Sequence, residues 1–122
     1  MIYTSYFARC PKLPKGLVPI SIARLAPAGY TGLEYKTLAP AWDILSEYKR
    51  TKNEELYIRQ YNYQLFLLSA DLVVKELKEL AKSDQIILLC YEKPNDFCHR
   101  HLVAKWLTEH GYDIQEIEFD GD

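Results

Sequence analysis

The chain predicts an α/β fold, a small single domain with a mostly parallel sheet and helices packed on it. Three observations predict it. Two β-branched and aromatic runs, IYTSYF and LVPISIARL, open the sequence; helical periodicity fills its middle; and a continuous apolar run, IILLCY, is followed by one more helix and an alternating segment. A chain of 122 residues, 48% hydrophobic and 26% charged, fits one domain spanning residues 1–122. A domain of that size buries roughly two thirds of the surface its unfolded form exposes.

IYTSYF, Ile2 to Phe7, reads as the first strand, and KLPKG breaks it. Leu17 to Leu25 reads as the second, with Pro19 near its start, where a sheet best tolerates the missing N–H. Ala26 to Pro40 holds two glycines and two prolines without a period, so a long irregular loop is expected there. Trp42, Leu45 and Tyr48 recur at three-residue steps and begin the helical region. Asn53 caps a second helix, with Glu54 and Glu55 at its positive end and Leu56, Tyr57, Tyr61, Leu65 and Leu68 on one face. Ser69 is placed to cap a third helix running to Lys82, unless one long helix continues through it. Ile86 to Tyr91 has the continuous apolar character of a strand buried on both faces. EKPND turns the chain, and Asp96 caps a helix whose inward stripe is His99, Leu102, Val103, Trp106, Leu107 and His110, ended by Gly111. Ile114 to Phe119 alternates like an edge strand.

Composition excludes several classes of function. A net charge of −2, from 15 basic and 17 acidic residues, sets up no global field for nucleic acid or an anionic membrane. No apolar run approaches the ~20 residues of a membrane span, and MIYTSYFARC lacks a basic region followed by an apolar one, so a cytoplasmic protein is expected. Three cysteines, Cys10, Cys90 and Cys98, form no repeated spacing; a disulfide framework is not expected, nor is any cofactor. The 10 tyrosines suit core, interface or ligand stacking alike.

The chemistry concentrates in CYEKPNDFCHR, Cys90 to Arg100. In a parallel sheet, ligands bind beyond the carboxyl ends of the strands. Those ends are Ser5-Tyr6, Ala23-Arg24 and Cys90-Tyr91-Glu92, and the Cys98-His99-Arg100 helix starts beside the last of them. With Asp96 as cap, Cys98 and His99 occupy a first turn whose free amides and dipole favour an anion or a thiolate, and Arg100 adds a fork suited to phosphate. The expected pocket joins Ser5 or Tyr6, Cys90 or Glu92, and Cys98 with Arg100, with Arg24 and Tyr30 as further ligand-binding candidates. Tyr35, Tyr57 and Tyr61 are other candidates for stacking, and Arg9 and Arg59 for added positive charge. His99 is either functional or a satisfied histidine bonded to a backbone carbonyl; His101 aligns with Lys105 on the solvated side. Metal binding is disfavoured because seven residues separate Cys90 from Cys98 and adjacent helical residues do not face one ion.

Three functions fit these residues. The first is binding of a phosphate-bearing small molecule or nucleotide. In the second, Cys98 is the nucleophile of a transferase or hydrolase, with His99 or Glu92 as base. In the third, the site is structural and the protein works through its surface, exposed tyrosines and the 26–40 loop making an interface or a homo-oligomer.

The IYTSYF strand, SIARLAPAGYTGLEYKTLAP, YIRQY and LLCYEKPNDFCHR together resemble the domain-of-unknown-function family numbered 488, in its short bacterial and phage-type members. The resemblance covers nearly the whole chain and implies an α/β fold with a shared polar site around Cys90, Glu92, Cys98, His99 and Arg100. It implies no reaction. Longer members carry Asp-Val-Arg after the second strand, where SIAR keeps only Arg24.

Overall fold

The computed structural model describes residues 1–91 and 97–117, with Cys10 as backbone only. Five strands, β1 (Ile2–Tyr6), β2 (Val18–Ser21), β3 (Leu33–Glu34), β4 (Ile86–Cys90) and β5 (Ile114–Glu116), form one sheet in the order β3-β2-β4-β1-β5. Every pairing is parallel. Four helices, α1 (Trp42–Thr51), α2 (Glu54–Phe66), α3 (Ala70–Ala81) and α4 (His99–Glu109), pack on it. The α/β order expected from the pattern is therefore the architecture observed.

β4 lies at the centre, and all five of its residues are buried, as its unbroken apolar text requires. Side chains alternate across the sheet. Ile2, Ile20, Ile86, Leu88 and Cys90 fall on one face, in a single core with Tyr61 and Leu65 of α2, Val73 and Leu77 of α3, and Val103 and Leu107 of α4. Topology explains this one-sided layering. The connections β3 to β4 and β4 to β5 both move the same way along the sheet, and right-handed crossovers then put their helices on the same face. The β1-to-β2 connection moves the other way, so its 3₁₀ turn (Phe7–Lys12) belongs to the opposite face, where Ser5, Ser21, Ile87 and Leu89 are fully buried.

Local chemistry sets the element ends. Asn53 Oδ1 accepts from the Leu56 amide at 3.1 Å, and Ser69 Oγ from the Leu72 amide at 3.3 Å, so two caps divide the middle of the chain into separate helices. Gly111, at φ +94°, ends α4: its amide reaches Thr108 O at 3.0 Å and that of Tyr112 reaches Leu107 O at 3.1 Å, a Schellman pair. Pro19 is tolerated inside β2 for a register reason. The amides of Val18 and Ile22 point to β4, so residue 19 faces β3, whose pairing starts only at Ile20.

Four expectations change. The 26–40 loop contains the two-residue strand β3, held by long-range pairing with β2 that no local period announces, and a second 3₁₀ turn (Lys36–Leu38), closed by the Ala39 amide on Lys36 O at 3.0 Å. The second strand is shorter than Leu17 to Leu25, ending at Ser21. Cys98, in extended backbone at φ −153° and ψ 144°, is the N-cap position of α4, which starts two residues later than Asp96 would have it. His110 is exposed rather than inward, because it lies beyond the last helical turn; its Nδ1 approaches Trp106 O at 2.8 Å. The expected Asp96 cap, the EKPND turn and the end of the last strand at Phe119 lie outside the described residues.

Candidate functional site

A cavity of about 450 Å³ opens beyond the carboxyl ends of β2 and β4, walled on its far side by α1. Parallel strands all deliver their carboxyl ends to one edge, and α4 must begin there because it follows β4 directly. The floor is Cys90, Cys98 and His99. The Trp42, Leu45 and Tyr48 stripe of α1 forms the wall, joined by Tyr57 from α2 and by Phe97. Tyr48, Tyr57 and Phe97 meet one another at ring separations of 4.9–5.5 Å. Burial, then the neighbouring Tyr48, pushes the Tyr57 phenol well above its ordinary range, so it stays protonated. Three cations, Arg24, Lys49 and Lys52, reach the same cavity. Lys52 stands in the left-handed position that ends α1 and lies 5.7 Å from the Tyr48 ring centre.

The floor is tightly organised. Cys90 ends β4, Cys98 precedes α4, and their sulfurs are joined as a disulfide. The cysteine spacing predicts no disulfide framework; a strand end and the helix start that follows it bring this one pair together regardless of spacing. His99 is buried, and its Nε2 lies 2.7 Å from Ile22 O. A carbonyl only accepts, so Nε2 carries the proton and Nδ1 keeps a lone pair, 3.9 Å from Cys98 Sγ. Burial lowers the His99 pKa to about 4, assisted by the charge of Arg100, against a raising effect of the Ile22 bond. The neutral, carbonyl-bonded histidine foreseen as one alternative is present, and its other nitrogen faces the cysteine.

Arg100 is placed differently from expectation. It is fully buried behind the floor, with Nε 3.0 Å from Glu116 Oε1 and Nη2 2.8 Å from Oε2, while Nη1 donates to Cys90 Sγ at 3.2 Å. Its guanidinium lies 5.7 Å from the Tyr6 ring centre. Thr4 Oγ1 donates to Glu116 Oε1 at 2.6 Å. A fork filled by a carboxylate is not presented to an anion in the cavity. The register accounts for the partner: Glu116 pairs with Thr4 on the same face as Tyr6 and Cys90.

The structure thus brings Tyr6, Cys90, Cys98 and Arg100 together, as the strand order requires, but not Ser5. Ser5 pairs with Leu89 and points to the opposite face, its hydroxyl buried without a partner among the described residues. Arg24 lines the cavity, while its guanidinium also holds the carbonyls of Ala39 and Pro40, each at 3.1 Å. Tyr30 stands off the cavity, against Phe7 at 5.3 Å, its hydroxyl on Leu33 O. Of the other tyrosines, Tyr35 bonds Glu76 and Tyr61 bonds Leu38 O; Tyr57 alone of these faces the cavity. Arg9 turns to the Tyr6 hydroxyl, at 2.9 Å. His101 is half-buried rather than solvated, since α4 packs on α2 as well as on the sheet. Glu92 lies outside the described residues. Sequence reasoning missed Lys49, Lys52 and Glu116; a Lys pair in the last turn of a helix reads first as a complement to its dipole.

A family model described as DUF488-N3a, the active DUF488-N3 subclade, matches residues 3–111. The chain belongs to this family. The motif that carries the expected resemblance, Cys90 to Arg100, falls within the matched span. Neither the curated proteins nor the solved structures provide a match. No helix among the described residues is long and apolar enough to cross a membrane.

Proposed function

We propose that the cavity binds a small molecule carrying both a phosphate and an aromatic ring, of nucleotide type, above Cys98 and His99. The observation that carries this is the composition of its wall. Arg24, Lys49 and Lys52 gather beside Trp42, Tyr48 and Tyr57 in about 450 Å³, within the range of small-ligand sites. In a chain of net charge −2, three cations at one concavity are a local field for an anion, and the rings offer stacking faces. The start of α4, where the side chain of the N-cap residue Cys98 makes no capping bond, adds its dipole on the floor side. The description of the family's subclade as active agrees with a working site. Lys49 and Lys52, not Arg100, supply the exchangeable positive charge in this reading.

A thermal-shift series with inorganic phosphate and nucleoside mono-, di- and triphosphates tests it. At 100-fold excess over Kd, a ligand stabilises by about 2.7 kcal/mol, which raises the Tm of a domain this size by about 10 °C. The double variant Lys49→Ala/Lys52→Ala, at two exposed positions, should lose most of that shift and keep the unliganded Tm. No shift with any phosphate compound, or an equal shift in the double variant, rejects the reading.

One observation favours a second reading: the His99 Nδ1 lone pair faces Cys98 Sγ, as a base faces a nucleophile. A histidine with a pKa of about 4 is a weak base at neutral pH, which ranks this second. Alkylation of the reduced protein across pH tests it. A Cys98 that reacts at pH 7 no faster than a free thiol rejects it.

A further inference from the structure

We infer that the reduced floor of the cavity is a Cys₂His site for a divalent, borderline-soft metal ion of zinc type, held by Cys90 Sγ, Cys98 Sγ and His99 Nδ1. These ligand atoms all lie within 4.8 Å of one another. Zinc takes sulfur at ~2.3 Å and nitrogen at ~2.0–2.1 Å, so tetrahedral ligand atoms stand roughly 3.5–3.8 Å apart. The Cys98–His99 separation of 3.9 Å is already close to that. The Cα atoms of the two cysteines are 7.2 Å apart, wider than the ~4.4–6.8 Å usual for a disulfide; an ion between the sulfurs spans that separation.

The sequence argument against a metal was that adjacent helical residues cannot face one ion. It fails here because Cys98 is not helical: its extended backbone turns its side chain to the side that His99 faces from the first helical position. The surroundings fit as well. The Nε2–H of His99 is tied to Ile22 O, the arrangement that orients a metal-bound histidine and leaves the lone pair of the other nitrogen for the ion. Charge also closes: a dication with two thiolates is neutral, and Arg100 with Glu116 is neutral, so among the described residues the buried cluster carries no net charge. Arg100 Nη1 meanwhile donates to the Cys90 sulfur. All three ligands border the cavity, so the fourth position opens into it, as in zinc sites that bind water or substrate.

Binding breaks two S–H bonds, forms two sulfur–metal bonds and releases two protons to solvent, with no change of oxidation state. In the disulfide form the sulfurs are bonded to each other, so oxidation and metal occupancy exclude one another.

Cobalt(II) titration of the reduced full chain, without oxygen and without any ligand, tests this independently of the nucleotide reading. The expected result is one equivalent bound per chain, with a thiolate-to-cobalt charge-transfer band and the visible bands of tetrahedral cobalt. Cys98→Ser and Cys90→Ser should each lose them while keeping the circular dichroism of the parent, and Cys10→Ser should keep them. Absence of the charge-transfer band from the reduced chain overturns the inference, as does its persistence in Cys98→Ser. A metal-loaded chain in which alkylation of Cys90 and Cys98 is no slower than in the metal-free chain also overturns it.

Discussion

Replacing Glu116 by Gln isolates the charge of the carboxylate that answers Arg100. The guanidinium is fully buried, and the Glu116 side chain is 19% exposed, so the pair sits where solvent screens it little. Two carboxylate–guanidinium contacts, at 3.0 and 2.8 Å, are involved. Gln can accept from one N–H, but its own amide N–H₂ then faces the other donor, and the buried guanidinium loses the carboxylate that neutralises it here. Breaking one partner of a buried pair costs ~3–5 kcal/mol; partial exposure of Glu116 places this case near the lower end, at about 3 kcal/mol. Urea unfolding of the reduced protein measures it as a fall in the midpoint at constant m-value. Arg100→Met/Glu116→Leu, which removes both charges, should recover much of the loss because no orphaned ion remains. A cost under about 1 kcal/mol for Glu116→Gln would refute the reasoning, since it would mean that water reaches Arg100.

Asn53→Ala should destabilise by about 1 kcal/mol in the same assay, because the Leu56 amide loses its cap acceptor. Gly111→Ala should cost about 1 kcal/mol from φ +94° alone, as an added Cβ would meet no atom within 4 Å; a neutral effect would contradict the left-handed end of α4. His99 makes metal-free stability depend on pH. Its folded pKa of about 4 lies below the unfolded 6.5, so between these values the unfolded chain binds more protons. Stability should therefore fall as pH drops from above 6.5 towards 4, by about 2 kcal/mol at pH 5, measured with chelator present. A His99→Gln variant that keeps the same pH dependence would assign it elsewhere.

Much of the fold was legible because its signals are local. Asn53 announces its helix, Gly111 ends one, and IILLC has the signature of an interior strand, whereas at Ser69 one continuous helix was an equal alternative until its cap on Leu72 was seen. β3 was not legible, since Leu33 and Glu34 become a strand only by pairing with Ile20 and Ser21. At the site, the approach of Cys98 to Cys90 followed from a strand, a short connection and a helix in succession. The partner of Arg100 did not follow: Glu116 alternates in sequence like a solvent-facing residue, and only its register against Thr4 turns it inward. Lys49 and Lys52 were invisible for the same kind of reason, because the packing of α1 over the sheet edge decides which side of its last turn faces the cavity.

On the function proposed above, the cavity above Cys98 and His99 holds a phosphate-bearing aromatic ligand. Amide chemical-shift mapping of the isotope-labelled, reduced protein against a nucleoside triphosphate tests it most directly, because it reports location as well as binding. Saturable shifts are expected, concentrated at Arg24, Lys49, Lys52, Tyr57, Cys98 and His99, with α3 unaffected. Shifts that fail to saturate, or that centre on residues away from this cavity, would contradict it.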